Sequence, residues 1–213
     1  MRNLLWKELR LAAHPTLFVF LFMGALLLIP AYPYCVVFFF GCLGPTLTFV
    51  YGRETHDVFY TATLPIPKRD VVKGKCLLIV TAQLGTLLIS LPFAVLRMWT
   101  PSVPNPVGLE ANVAYYGFGL LIFALFDLVF LTQFYKTAYQ AGQAMLCAGL
   151  PAVAVMLVME SLAHIPATQW MDGMGAAELL RQVPVLLAGA AAYAGALPLA
   201  CRIASARFAR VDL

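Results

Sequence analysis

The sequence predicts an all-α integral membrane protein of six transmembrane helices, and three observations carry that prediction. Of 213 residues, 62% are apolar or aromatic and only 11% are charged, against about a quarter charged in an average soluble domain. Six apolar stretches are long enough to cross a hydrocarbon core of roughly 30 Å, which takes about 20 helical residues. The runs are continuous rather than alternating, which argues against outer-membrane strands. With a mean hydropathy of +0.85, the polar residues are too few to cover a water-facing surface. The composition therefore excludes a disordered chain, a nucleic-acid-binding tail and a water-soluble globule.

In chain order, residues 1–15 read as an amphipathic helix lying on the membrane surface. Asn3, Lys7, Arg10 and His14 recur on one face, Leu5, Leu9 and Ala12 line the other, and Trp6 suits the headgroup level. Pro15 separates it from the first span. The spans are expected at residues 16–32, 34–51, 76–96, 113–134, 141–163 and 183–201, all in one domain covering residues 1–213. The first two share the short connection Ile29-Pro30-Ala31-Tyr32-Pro33 and should form a helical hairpin. The first run is longer than the apolar region of a signal peptide, and no small-residue cleavage site follows it, so it reads as a retained span.

Charge placement sets the orientation. Twelve of the fourteen Lys and Arg residues fall in the N-terminal segment, the second connection, the fourth connection and the C-terminus, leaving only Arg97 and Arg181 for the opposite face. The positive-inside rule then predicts that both termini are cytoplasmic. Most of these charges need no ligand, because a cation at the lipid headgroups already accounts for them. On the outer side, residues 97–112 carry Pro101, Pro104 and Pro106 and read as a stiff loop. Residues 164–182 are expected to hold a short helix near 176–181.

The connection from Gly52 to Lys75 is the most informative segment. A short helix fits residues 53–63, with Glu54 and Asp57 charged, Val58, Phe59 and Ala62 apolar, and Pro65 ending it. Pro67 fits the first turn of the next helix and Asp70 its positive dipole end. A connection need not be amphipathic merely to join two spans, so this one is expected to dock on something.

Here the sequence resembles a known family. The Leu-Trp-Lys-Glu-Leu-Arg-Leu start, the Arg53-Glu54 segment, the Leu-Pro-Ile-Pro-Lys-Arg turn and Val-Val-Lys-Gly-Lys before the third span are similar to small bacterial permeases of the ABC type-2 transporter family. Phe134-Tyr135-Lys136 and Tyr139 resemble that family too. Pro67 departs from its usual Ser or Thr cap, and Gln140 and Gln143 replace its charged residues. The resemblance implies an elbow helix at residues 1–15, a cytoplasmic coupling segment at 53–75, and a coupling helix using Glu54, Asp57, Val58, Phe59 and Ala62. It also implies a bacterial inner-membrane permease that pairs with a second permease, identical or different, to form an exporter's pathway. Separate ATP-binding-cassette ATPase subunits would carry the ATP and Mg. The chain itself has no phosphate-cradling motif, since Gly74-Lys75 is followed by Cys76.

Asp127 is the one acid placed well inside a span. Such a group costs about 2.5–3.5 kcal/mol on insertion scales, so it should face the bundle or a watery cavity. Its partner is open among Gln133, a backbone carbonyl, a water and a protonated state, and its role between structure and the transport pathway. Glu160, a turn from the outer end of its span, is expected to be solvated. The small residues Ala188, Ala192, Ala196 and Ala200, beside Gly189 and Gly195, permit close helix approach.

An enzyme is not expected. His14, His56 and His164 are scattered, there is no GxSxG elbow, and the five cysteines form no CxxC pair, giving neither a zinc site nor an extracellular disulfide framework. No cofactor is expected on the chain. The rival reading is a non-transporting scaffold, assembly or immunity factor that uses the same segment for docking.

Overall fold

A computed structural model of the chain describes residues 2–63, 65–99 and 105–211. The side chains of Val58 and Ala62, and residues 100–104 of the proline-bearing loop, lie outside the described residues. In chain order the elements are α1 (Arg2–Lys7) continuing into a π turn (Glu8–Ala12), α2 (Pro15–Leu21) continuing into a 3₁₀ segment (Phe22–Leu28), α3 (Val36–Glu54) and α4 (Asp57–Thr63). Then come α5 (Lys68–Trp99), α6 (Val113–Phe134), α7 (Ala141–Leu162), a 3₁₀ turn (Pro166–Met171) and α8 (Ala176–Phe208). Among the described residues there are no strands.

Five of these, α3, α5, α6, α7 and α8, are long and apolar enough to cross a membrane. The sixth candidate is the N-terminal pair, whose two limbs, Arg2–Ala12 and Pro15–Leu28, meet at a bend of 101°. The bend has a local cause. Pro15 disfavours helix at the residue before it, so Ala13 and His14 are extended, and the His14 ring caps the Thr16 amide. The expected first span, residues 16–32, is thus shorter than predicted. Its 3₁₀ half compensates, because that helix rises about 2.0 Å per residue against about 1.5 Å for an α-helix, giving a reach of about 25 Å.

The bundle is organised around α6, which is flanked by α8, α7 and α3. Phe38, Phe49, Tyr115, Phe123, Phe130 and Phe134 interlock along it, mostly edge to face. α6 and α8 approach most closely at Gly117 and Gly189. A side chain on Gly189 would land on the Gly117 carbonyl, and one on Gly117 would meet the Val185 and Leu186 backbone. Of the small residues expected to allow this, Gly189 and Ala200 are buried, while Ala188 is exposed and Gly195 faces open space.

α5 and α8 are also longer than a span requires, and run antiparallel to each other. Tyr193 donates to Gln83 at 2.8 Å, and two turns nearer the basic end Cys76 and Cys201 are joined as a disulfide. The cysteine spacing gives no hint of this pairing, because the two lie 125 residues apart.

At the end away from most of the basic residues, polar side chains knit the loops together. Glu160 accepts the Cys35 and Leu109 amides at 3.1 Å each, so it is a structural clamp rather than the solvated group expected. Arg97 pairs with Glu110 at 3.1 Å, Asn112 caps α6 and reaches the Met171 carbonyl, and Gln182 ties α8 to α6 and to Trp170. The short helix expected at 176–181 is instead the first turns of α8, and the separate turn comes earlier, at Pro166–Met171.

Candidate functional site

Three elements that the sequence reading treats separately meet at the basic end: the N-terminal helix, the connection after α3, and the first turns of α5. α3 continues through Arg53 and Glu54, then breaks at Thr55 and His56, whose φ is 53°. The short helix therefore starts at Asp57 rather than at residue 53. Glu54 sits exposed at the end of α3 instead of inside the new helix.

α4 has seven residues, too few to be stable alone in water. Tertiary contacts hold it. Asp57 and Thr61, four residues apart and so on one face, are buried and turned toward the bundle. The Lys7 ammonium donates to Asp57 Oδ1 at 2.6 Å and to Thr61 Oγ1 at 2.8 Å, and pairs with Glu8 Oε1 at 2.9 Å. Lys75 lies 2.6 Å from both Asp57 Oδ2 and Glu8 Oε2, with its ammonium 5.6 Å from the centre of the Phe49 ring. The four side chains close a ring of alternating charge, two ammoniums and two carboxylates. Its inner half is dry, with Lys75 and Glu8 each only 1% exposed, while the Lys7 side chain reaches the surface.

Burial alone would push the Asp57 carboxyl up, but the Lys75 and Lys7 ammoniums outweigh it and hold it below the usual carboxylate range. Burial likewise works against the Lys7 ammonium, and Glu8 with Asp57 more than compensates, raising it. A lowered acid contributes stability above its unfolded pKa of about 3.9, and a raised lysine contributes below about 10.4. The ring should thus be at full strength between those values. It should weaken as pH falls below about 4 through the lowered Asp57 value, or rises past about 10.4 through the raised Lys7 value. Thermal unfolding of the solubilised protein should show an acid loss that Asp57→Asn removes.

The opposite face of α4 is open. Phe59 is 54% and Tyr60 63% exposed, with Thr63 exposed beside them. Of the five residues expected to dock, Phe59 and Glu54 face outward, Asp57 faces the ring, and the side chains of Val58 and Ala62 lie outside the described residues. Composition and spacing did not single out the ring. Lys7 and Lys75 are indistinguishable by sequence from headgroup anchors; the usable signal is Glu8, an acid beside Lys7 on a surface helix.

Asp127 is 1% exposed and accepts from Gln83 Nε2 at 2.8 Å, and Gln83 accepts in turn from Tyr193. Its partner is thus Gln83 of α5, not Gln133. The line joins α6, α5 and α8 inside the subunit and leaves Asp127 Oδ2 without a hydrogen bond. Among the described residues no cluster of His, Cys, Asp and Glu fits a metal.

Fold and site together define a multi-pass α-helical membrane protein with an N-terminal helix and a short interhelical helix locked to each other at one end. Over residues 3–188 the sequence matches the family described as ABC-2 family transporter protein. The chain belongs to that family: it is a membrane permease of an ABC transporter, and such a permease works with an ATP-binding-cassette subunit. No curated protein and no solved structure matches it.

Proposed function

We propose that the chain is the permease subunit of an ATP-driven exporter in the bacterial inner membrane, paired with a second permease and free of catalytic residues of its own. The observation that carries this reading is α4. Its inner face is fixed by buried ion pairs and its outer face leaves Phe59 and Tyr60 more than half exposed. A seat for an ATPase needs both properties, since a helix that transmits force must be held on one side and gripped on the other. Force on α4 then passes through Asp57 to Lys75 and the whole length of α5, and through Lys7 to the surface helix. ATP and Mg belong to the partner.

Copurification tests this. The solubilised permease should retain an ATP-binding-cassette subunit whose turnover rises in the complex. A stable complex without turnover would instead favour a scaffold or immunity factor. The orientation has its own check, in a background with Cys147 replaced by Ser. Cysteines at exposed Thr63 and Ala209 should react only from the cytoplasm, and one at Ala167 only from outside. Labelling Thr63 and Ala167 from the same side would overturn the topology.

Asp127 is proposed to serve the pathway through its line to α5 and α8. Asp127→Asn keeps the shape and one acceptor oxygen, so the assembled complex should survive while stimulated turnover or transport changes. Equal loss of assembly and activity would assign Asp127 to structure alone, where an unsatisfied buried polar group costs about 1–3 kcal/mol.

A further inference from the structure

We propose that Cys76 and Cys201 form a reversible thiol–disulfide latch that locks α5 to α8 and so regulates coupling; the proposal rests on the reading that the basic end is cytoplasmic. Two cysteines 125 residues apart converge with a Cα–Cα separation of 6.6 Å, inside the span of about 4.4–6.8 Å that a disulfide bridges without backbone movement. A cytoplasmic compartment keeps structural disulfides rare, and pairs that do form there are usually transient or redox-sensing.

Position gives the pair its function. Cys76 directly follows Lys75, the residue through which α4 holds α5. Successive helix residues are turned by about 100°, so Lys75 faces the charge ring while Cys76 faces α8. The next tie on the same seam is Tyr193 to Gln83, about 10 Å along the helices. With the thiols reduced, the end of α5 driven by α4 is free to part from α8 up to that hydrogen bond. With the disulfide formed, movement of α5 relative to α8 is blocked at the point where force enters.

The chemistry closes with a low-molecular-weight disulfide as oxidant. Cys201 is half-buried and Cys76 buried, so the Cys201 thiolate attacks first and one thiol leaves the oxidant. The Cys76 thiolate then attacks the Cys201 sulfur of the mixed disulfide and expels the second thiol. Two electrons pass to the oxidant, and the two cysteine protons end on the released thiols. Excess dithiol reverses both steps.

The full permease–ATPase complex in nanodiscs is treated with oxidised glutathione or with dithiothreitol, quenched with N-ethylmaleimide and mapped by peptide mass spectrometry. A Cys76–Cys201 cross-linked peptide should form on oxidation, vanish on reduction, and accompany a fall of at least tenfold in stimulated turnover. Cys76→Ala and Cys201→Ala should each abolish the redox response while keeping turnover at the reduced level. Absence of the cross-linked peptide, a cross-link that dithiothreitol does not open in the folded protein, or a cross-link with unchanged turnover would each overturn the latch. If the complex hydrolyses no ATP in either redox state, the coupling reading has failed instead. The latch is then read from spin labels at Thr63 and Ala209, whose distance distribution should narrow on oxidation; an unchanged distribution would overturn it.

Discussion

Lys75→Met is expected to be the most damaging single substitution at the basic end of the protein. Methionine preserves length and packing against Phe49, yet leaves the Asp57 and Glu8 carboxylates buried together with only Lys7 between them. Breaking one partner out of a buried ion pair costs about 3–5 kcal/mol, a large share of the roughly 5–15 kcal/mol by which a protein is stable. The charge logic supplies its own control. Adding Glu8→Gln to Lys75→Met leaves Lys7 and Asp57 as a balanced pair, and most of the lost stability should return. Thermal unfolding of the solubilised variants measures both. A Lys75→Met protein as stable as wild type, or a double variant no better than the single, would show that the ring does not hold the two helices.

Phe59→Ala should release the ATPase while leaving the permease folded. The side chain is more than half exposed, so its removal opens no cavity in the subunit and should not move the unfolding temperature. An aromatic anchor at an interface centre is worth about 2 kcal/mol or more on truncation, or about a 30-fold loss of affinity. Glu54→Ala, on the exposed end of α3, should keep the ATPase bound and blunt its stimulation. Unchanged copurification and turnover in the double variant would remove α4 from the coupling path.

The spans were legible in the sequence because apolar runs must match the thickness of a bilayer. The stretch expected at residues 113–134 coincides with α6 (Val113–Phe134), and the fifth span differs by one residue. What escaped were features set by contact between distant segments. Nothing local marks Gln83 as the partner of Asp127, or Tyr193 as the partner of Gln83, since hydropathy ranks each residue alone. The start of α4 was missed for a different reason: His56 adopts a positive φ that no glycine announces, so the break reads as continuous helix. The inward turn of Asp57 depends on two lysines from other elements.

The closeness of α6 and α8 has a consequence for how the chain is made. Gly117 and Gly189 touch through their backbones, and the partner that completes the Gln83–Asp127 line is Tyr193, near the end of the chain. A ribosome delivers the fourth span well before the sixth, so during synthesis the fourth must wait in the bilayer or insertion machinery with one flank bare, while Gln83 Oε1 beside it lacks the Tyr193 donor. Insertion of α8, rather than of any helix before it, therefore commits these helices to their native packing. Nascent chains halted before Gly189 should be recognised and cleared by membrane quality control.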